Sequence, residues 1–153
     1  MSSDEKSCTI RCQFCDTWNR VLGERASSRP KCGSCGRFLL LDRPWPLFED
    51  SFARTISDSQ LPVLVDFYAD WCGPCKVMAP VVDALAAKYI GRALVTKLDT
   101  DRAQQLSSSL NIRGIPTTIV FVGGKEVARQ SGAMPLAVLE ALLQRAEAPP
   151  PLV

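Results

Sequence analysis

The sequence predicts an α/β fold, in which helices flank a central mixed β-sheet, with a small cysteine-rich module at the N-terminus. Three observations lead to this prediction. Apolar runs typical of buried strands alternate with helical patterns over residues 48–147. The pair Gly123-Gly124 is a hairpin signal between the last two strands. Two Cys-x-x-Cys pairs precede this region, within residues 1–36.

Length and composition fit one ordinary domain and a small appendage. Of the 153 residues, 46% are hydrophobic and 22% are charged, and the formal net charge is +2. This balance gives no general attraction to nucleic acid or membranes, and no apolar run approaches the roughly 20 residues of a membrane span. Residues 1–7 lack the basic start and apolar stretch of a signal peptide. We therefore expect a cytoplasmic protein, and we expect a monomer.

Cysteine usage points to metal binding. Seven cysteines without an export signal favour metal sites and redox chemistry over a disulfide framework. Four of them form two pairs separated by sixteen residues: Cys12, Cys15, Cys32 and Cys35. Each pair can direct two sulfurs at one point, and two pairs complete a tetrahedron around Zn²⁺. We predict one structural zinc ion per chain in residues 1–36; two disulfides or four free thiols are the alternatives.

Cys8 falls outside this spacing. We expect an exposed free thiol near the end of the chain; an alternative metal ligand or a partner in a regulatory disulfide remains open. Residues 1–47 carry a formal charge of +3, which four thiolates and one Zn²⁺ would reduce to about +1. There is no basic cluster with interleaved aromatic residues, so nucleic-acid binding is not expected.

The most informative motif is Cys72-Gly73-Pro74-Cys75. It follows an apolar run typical of a buried strand, residues 61–69, and precedes a helical pattern, residues 77–89, whose apolar positions include Val77 and which contains Pro80. A helix N-terminus offers free N–H groups and the positive end of the helix dipole, which favour a thiolate at Cys72. Thiolate is the nucleophile of thiol–disulfide exchange, so we predict a redox site. The chain has no histidine, which excludes nucleophile–histidine pairs.

The remaining elements follow in chain order. Residues 37–47 are expected to be a linker, with a short edge strand at residues 45–47. We predict a helix from residue 50, a strand at 93–98, a helix at 101–109, strands at 117–122 and 126–130, and a helix at 134–146. Residues 48–147 would form the main domain, and residues 148–153, which contain three prolines, a tail.

Asp66 interrupts the apolar strand. A carboxyl group in a buried strand loses hydration and should have a raised pKa, which makes Asp66 a candidate acid or base. A structural aspartate with satisfied hydrogen bonds is the alternative.

Residues 65–76 resemble the active-site segment of thioredoxins. The loop Arg113-Gly114-Ile115-Pro116-Thr117 and the pair Gly132-Ala133 resemble two further segments of that family, in the same order. The resemblance extends over residues 48–146, and the preceding cysteine pairs resemble those of its zinc-containing bacterial members. It implies a thioredoxin fold, a cis peptide bond at Pro116 where trans is the ordinary isomer, and protein-disulfide reductase activity.

The same resemblance implies roles for individual residues. Cys72 would attack a target disulfide, and Cys75 would release the target with help from Asp66. Lys97 matches the family's lysine near that carboxylate; an ordinary surface lysine is the alternative. The implied substrate groove consists of Trp71, Gly73, Pro74, Ile115, Pro116, Gly132 and Ala133. The implied partners are thioredoxin reductase, with NADPH as the reductant, and disulfide-containing target proteins.

Two other functions stay open at this point. The chain could be a redox-regulated chaperone or oxidative-stress sensor, in which zinc release switches activity. It could also be a nucleic-acid-binding zinc module with a redox domain attached, which the charge distribution disfavours.

Overall fold

A computed structural model of the chain describes residues 5–147. The predicted tail at residues 148–153 and most of residues 1–7, where a signal peptide was considered, lie outside the described residues. Before the main sheet, the strands β1 (Ser7–Arg11) and β2 (Trp18–Leu22) form an antiparallel hairpin, which is followed by a 3-10 helix at Gly23–Ser28. Neither strand had been predicted.

The main sheet has five strands in the order β3-β5-β4-β6-β7. Their bounds are β3 (Trp45–Leu47), β4 (Val63–Tyr68), β5 (Leu94–Asp99), β6 (Thr117–Val122) and β7 (Lys125–Ser131). The strands β3, β4 and β5 are mutually parallel, whereas β6 runs antiparallel to β4, and β7 runs antiparallel to β6. This is the predicted mixed sheet, and the predicted edge strand at residues 45–47 is confirmed.

Within residues 5–147, four α-helices cover the two faces of the sheet. They are α1 (Glu49–Asp58), α2 (Gly73–Lys88), α3 (Gln104–Ser109) and α4 (Leu136–Glu147). Side chains alternate between the faces along each strand. Along β4, Val63, Val65 and Phe67 pack with α1, whereas Leu64 packs with α2 and α4. The predicted helix at residues 101–109 is interrupted, because Thr100–Arg102 forms a 3-10 turn before α3.

The N-terminal hairpin packs directly on α1 and its C-terminal end. The Ser7 carbonyl accepts hydrogen bonds from the N–H groups of Gln60 (2.8 Å) and Leu61 (3.0 Å), and the Thr9 N–H donates to Ser59 Oγ (2.9 Å). Residues from the hairpin and α1 share one hydrophobic core, so the two parts of the chain are packed together.

Cys8 belongs to this shared core. It lies in β1 and is 2% exposed, and burial raises the pKa of its thiol to about 12. The expectation of an exposed thiol was therefore wrong. The physical reason is that contact with α1, far away in sequence, buries a strand that the local pattern did not reveal.

Among the described residues, no helix combines the length and apolar character needed to cross a membrane.

Candidate active site and metal centre

Cys72 and Cys75 form a disulfide at the N-terminus of α2, with their Cα atoms 5.3 Å apart. The strand β4 delivers the chain to this point, and Cys72 is the residue that caps the helix. The backbone N–H of Cys75 donates to Cys72 Sγ over 3.2 Å. In the reduced form this N–H and the helix dipole favour a thiolate on Cys72.

The loop before β6 lies against the disulfide. Cys72 Sγ is 3.7 Å from the carbonyl oxygen of Ile115, and the Ile115 side chain packs against the small buried cluster that contains Ala69, Cys72 and Cys75. The Ile115–Pro116 peptide bond is cis, as the resemblance implied. The Pro116 carbonyl accepts a hydrogen bond from the Gly132 N–H (2.8 Å), which places Gly132 beside the same loop.

An exposed apolar surface surrounds the disulfide. Trp71 is 70% exposed and Val77 is 71% exposed, although both are large apolar residues. Gly73, Pro74 and Ala133 are exposed as well, and Ile115 is half-buried. The Trp71 indole is held by its Nε1–H, which donates to Asp101 Oδ2 over 2.9 Å. Exposed apolar groups fixed in this way are available to contact another molecule.

Asp66 and Lys97 are neighbours across β4 and β5, as their register shows. Together with Cys75 they line a cavity of about 160 Å³, whose other polar lining residues are Tyr68, Asp70, Lys76 and Asp83. Asp66 is 5% exposed, and its Oδ1 atom has no hydrogen-bond partner among the described residues. The two cysteines thus face different surroundings, since Cys72 lies against Ile115 and Cys75 lines the cavity.

Burial raises the pKa of Asp66 to about 7, and the positive charge of Lys97 opposes this rise in part. The structure does not satisfy the alternative of a fully hydrogen-bonded structural aspartate, since one carboxyl oxygen is unpaired. A carboxyl group with a pKa near 7 can accept and return a proton at neutral pH.

The four cysteines predicted as metal ligands come together in the N-terminal module. All four Sγ atoms lie within 4.8 Å of one another. The sulfurs of Cys12 and Cys35 are 3.7 Å apart, and those of Cys15 and Cys32 are 3.6 Å apart. Zn–S bonds of about 2.3 Å in a tetrahedron require sulfur separations of about 3.8 Å, so the geometry fits Zn²⁺.

Hydrogen-bond donors also point at these sulfurs. The N–H of Phe14 donates to Cys12 Sγ (3.5 Å), and the N–H of Ser34 donates to Cys32 Sγ (3.4 Å). The Asn19 side-chain amide donates to Cys32 Sγ as well (3.4 Å). Such donors stabilise the thiolates that Zn²⁺ binds. The residues present therefore fit a zinc ion.

Three features of the site were not found from the sequence. Asp101 fixes Trp71, Pro44 lines the Asp66 cavity from the predicted linker, and Thr118 lies opposite Asp66 in the sheet. Each depends on contacts between distant segments, and only Thr118, as a polar residue in an apolar strand, left any sequence signal.

Comparison with known proteins agrees with these features. A family model described as Thioredoxin matches residues 44–145, and one described as Thioredoxin 2, N-terminal, a zinc ribbon, matches residues 11–37. Thioredoxin C-3 of Corynebacterium nephridii is 44% identical over 125 residues, which cover 82% of this chain and 86% of that protein. A thioredoxin of Synechocystis is 46% identical over 95 residues, which cover 62% of this chain and 89% of that protein.

Solved structures give the same result. A mutant thioredoxin from Halobacterium salinarum superposes with a TM-score of 0.65 at 36% identity, covering 72% of this chain and 96% of that one. With its fold, its cysteine pair and these relatives in agreement, the chain belongs to the thioredoxin family of thiol–disulfide oxidoreductases and carries a zinc-ribbon module of the thioredoxin 2 type.

Proposed function

We propose that this thioredoxin-family disulfide reductase acts on target proteins through the dithiol form of Cys72 and Cys75. One observation carries the proposal. The pair is bonded at the N-terminus of α2, where Cys72 lies against the Ile115 carbonyl next to the exposed Trp71, and Cys75 lines the cavity that contains Asp66. This asymmetry supports an attacking role for Cys72 and a resolving role for Cys75.

In the first step, Cys72 thiolate attacks one sulfur of a target disulfide. A bond forms between Cys72 Sγ and that sulfur, the target disulfide breaks, and the second target sulfur leaves as a thiolate that takes a proton from solvent. Trp71, Gly73, Pro74, Ile115, Pro116, Gly132 and Ala133 would form the groove that receives the target. The backbone of Ile115 supports this role, because an extended target segment can hydrogen-bond to it like an added strand.

In the second step, the Cys75 thiol gives its proton to the Asp66 carboxylate, directly or through one water in the cavity. The Cys75 thiolate then attacks Cys72 Sγ. The Cys72–Cys75 disulfide forms, the mixed disulfide breaks, and the target leaves with both sulfurs reduced. Two electrons pass from the dithiol to the target. Lys97 would limit the pKa of Asp66 by its positive charge.

Turnover requires that the disulfide be reduced again. We infer that thioredoxin reductase supplies the two electrons from NADPH, which is the partner that family membership suggests. A cycle of this kind operates where NADPH is available, which supports a cytoplasmic location. We assign the monomer as the working unit, since both cysteines and Asp66 come from one chain.

The zinc ion would have a structural role. Cys12, Cys15, Cys32 and Cys35 would hold it, and when bound it would fix the two ribbon turns relative to each other. Cys12 and Cys32 are also part of the core that the module shares with α1. The module would therefore stabilise the packing of the N-terminal hairpin without taking part in thiol–disulfide exchange.

The test is insulin reduction coupled to thioredoxin reductase and NADPH. Cys72→Ser should abolish turnover, because it removes the nucleophile, while bound zinc stays at the wild-type level. Cys75→Ser should accumulate a mixed disulfide with insulin that is visible by mass spectrometry. Continued turnover of Cys72→Ser would overturn the proposal.

A further inference from the structure

Thr118 is the residue directly opposite Asp66 on the neighbouring antiparallel strand. Opposite residues in an antiparallel pair extend to the same face of the sheet. For this pair it is the face covered by α2 and α4, because Leu64 and Val120, two residues away on their strands, pack with these helices. Thr118 therefore lies on the same side of the sheet as Asp66.

The hydroxyl of Thr118 is buried and unpaired. Thr118 is 0% exposed, and its Oγ1 atom has no hydrogen-bond partner within residues 5–147. The Oδ1 atom of Asp66 has none either. Buried polar atoms nearly always have partners, because an unpaired one loses hydration without compensation. Two unpaired polar atoms on paired residues therefore require an explanation.

The geometry of the pair supplies one. Opposite residues in an antiparallel ladder have Cβ atoms about 4.5–5.5 Å apart. From that separation a rotation about the Thr118 Cα–Cβ bond, or one bridging water, joins the hydroxyl to a carboxyl oxygen. The bond is strongest when the carboxyl group is ionised, because a charged acceptor shortens and strengthens it.

We propose that Thr118 is a positioning residue for proton transfer, in which its hydroxyl donates a hydrogen bond to the ionised Asp66 carboxylate and thereby lowers the pH at which Asp66 can take the Cys75 proton. The inference rests on the proposed function, because it assigns Asp66 as the base. Thr118 itself exchanges no proton with Cys75. Its donor stabilises the carboxylate before transfer, and the bond weakens when Asp66 becomes the neutral acid.

Several other polar groups line the cavity around Asp66. Lys97 on β5 contributes charge, and its Nζ lies 6.0 Å from the Tyr68 ring centroid, which places the ammonium over that ring. The charged residues Asp70, Lys76 and Asp83 line the cavity, and Cys75 is the thiol that faces it from α2. The strand β6 presents only the Thr118 hydroxyl at this position. Thr118 is thus the neutral donor directly opposite Asp66, whereas Tyr68, whose hydroxyl is also neutral, lines the cavity from a position two residues further along β4.

The experiment compares Thr118→Val, which keeps the shape and removes the hydroxyl, with Thr118→Ser, which keeps the hydroxyl. The Asp66 carboxyl is titrated by ¹³C NMR in each oxidised protein. Loss of the donor disfavours the ionised form, so the midpoint should rise by roughly one pH unit in Thr118→Val and stay near wild type in Thr118→Ser.

A matched control is Thr96→Val. Thr96 is equally buried, but its hydroxyl already donates to the Leu64 carbonyl (2.9 Å), and it precedes Lys97 on β5 and so lies on the opposite face. This variant should lose stability without moving the Asp66 midpoint. The assignment would be overturned if the Asp66 midpoint shifted in both valine variants. It would also be overturned if the midpoint shifted equally in Thr118→Ser and Thr118→Val, or if it shifted in none of the variants.

Release of the target from the mixed disulfide provides the second readout. In Thr118→Val its rate should fall by up to about tenfold at pH 6 and approach the wild-type rate at pH 9, as the base becomes ionised in both proteins. The NMR titration needs no turnover, so it decides the Thr118–Asp66 bond independently. A shifted midpoint with an unchanged rate profile would mean that Asp66 is not the base, and would refute the role proposed for Asp66 in the second step instead of the Thr118–Asp66 bond.

Discussion

The indole Nε1–H of Trp71 donates to Asp101 Oδ2 over 2.9 Å, although the indole is 70% exposed. Asp101 belongs to the 3-10 turn that follows β5, and Trp71 immediately precedes the active-site disulfide. The bond therefore fixes an exposed apolar surface next to Cys72. A fixed ring loses less conformational entropy than a mobile one when a target binds.

Asp101→Ala should weaken target binding without slowing the chemistry. Because the freed indole must be ordered again on binding, we expect KM for insulin to rise roughly two- to fivefold with kcat unchanged. Asp70→Ala removes a similar charge beside the site without breaking a bond to Trp71, and serves as control. An equal rise of KM in both variants would show that charge, rather than the fixed indole, is responsible.

The raised pKa of Asp66 makes stability depend on pH. The folded-state pKa is about 7 against an ordinary value of 3.8, so the native state binds more protons than the unfolded state between these values. The free energy of unfolding therefore falls as pH rises from about 4 to 7, and the loss is complete above about pH 8. The difference in pKa corresponds to about 4 kcal/mol.

Asp66→Asn removes the buried carboxyl group and therefore removes this pH-dependent loss of unfolding free energy. The variant should be more stable than wild type by up to about 4 kcal/mol at pH 8 and by much less at pH 4, as measured by urea unfolding of the oxidised proteins. Asp83→Asn removes an exposed carboxyl group that lines the same cavity and should leave the pH dependence unchanged. A constant difference between Asp66→Asn and wild type at all pH values would contradict the assignment.

Removal of zinc should affect stability more than activity. In Cys32→Ser, bound zinc should fall from one ion per chain to near zero, with a loss of at least about 3 kcal/mol of unfolding free energy. Initial turnover with insulin should stay within about twofold, because the four cysteines are separate from Cys72 and Cys75. Ser34→Ala keeps all four sulfurs and is the control.

If the zinc site were an oxidative-stress sensor, mild oxidation would release the metal and change the activity. Cys15 and Cys35 are exposed, so oxidants can reach them. For a structural zinc ion we expect the metal to remain bound after mild peroxide, measured with a chromogenic chelator while turnover is followed. Zinc release accompanied by a change in turnover would favour an oxidative-stress sensor.

The local sequence pattern was sufficient to predict those strands in which nearly every residue is buried. The runs that became β4, β5 and β6 are mostly apolar and mostly buried, with few polar interruptions such as Asp66 and Thr118. The cysteine spacings require no tertiary information. The helix α2 shows the limit of this reasoning. Its buried residues are Cys75, Met78, Val82, Leu85 and Ala86. Val77, predicted as one of the apolar positions of the helix, falls outside this set and is exposed.

Pairings between distant segments could not be predicted. Thr118 faces Asp66 only because β6 lies next to β4 in this register. Cys8 is buried only because β1 packs on α1. Both relationships depend on sheet order and packing, which a single sequence does not encode in its local periodicity.

Burial of Cys8 should make its thiol unreactive in the folded protein. With its pKa raised to about 12, the thiolate fraction at pH 8 is about a thousandfold lower than for an ordinary cysteine. In the zinc-bound Cys72→Ser/Cys75→Ser variant, labelling of Cys8 by iodoacetamide should therefore require unfolding. The site is read by peptide mass spectrometry, with Cys8→Ala as the background. Rapid labelling under native conditions would contradict the buried position.

Gly91 sets how closely the N-terminal module approaches the main domain. It has φ +84°, and a Cβ atom at this position would lie 2.5 Å from the Gly23 carbonyl oxygen. Gly91→Ala therefore adds a backbone clash to the strain of a left-handed conformation. Gly123 has φ +59° with open space around it, so Gly123→Ala tests the strain alone.

We expect Gly123→Ala to cost about 1–2 kcal/mol of unfolding free energy, and Gly91→Ala to cost about 1–3 kcal/mol more. In Gly91→Ala, the additional loss of unfolding free energy should be accompanied by faster hydrogen exchange at the Gly23 N–H and along β1. The reason is that relief of the clash must move the module away from the loop between α2 and β5. Urea unfolding and amide exchange measure the two effects separately. Equal destabilisation by both variants, with β1 exchange unchanged, would show that the module does not rest on Gly91.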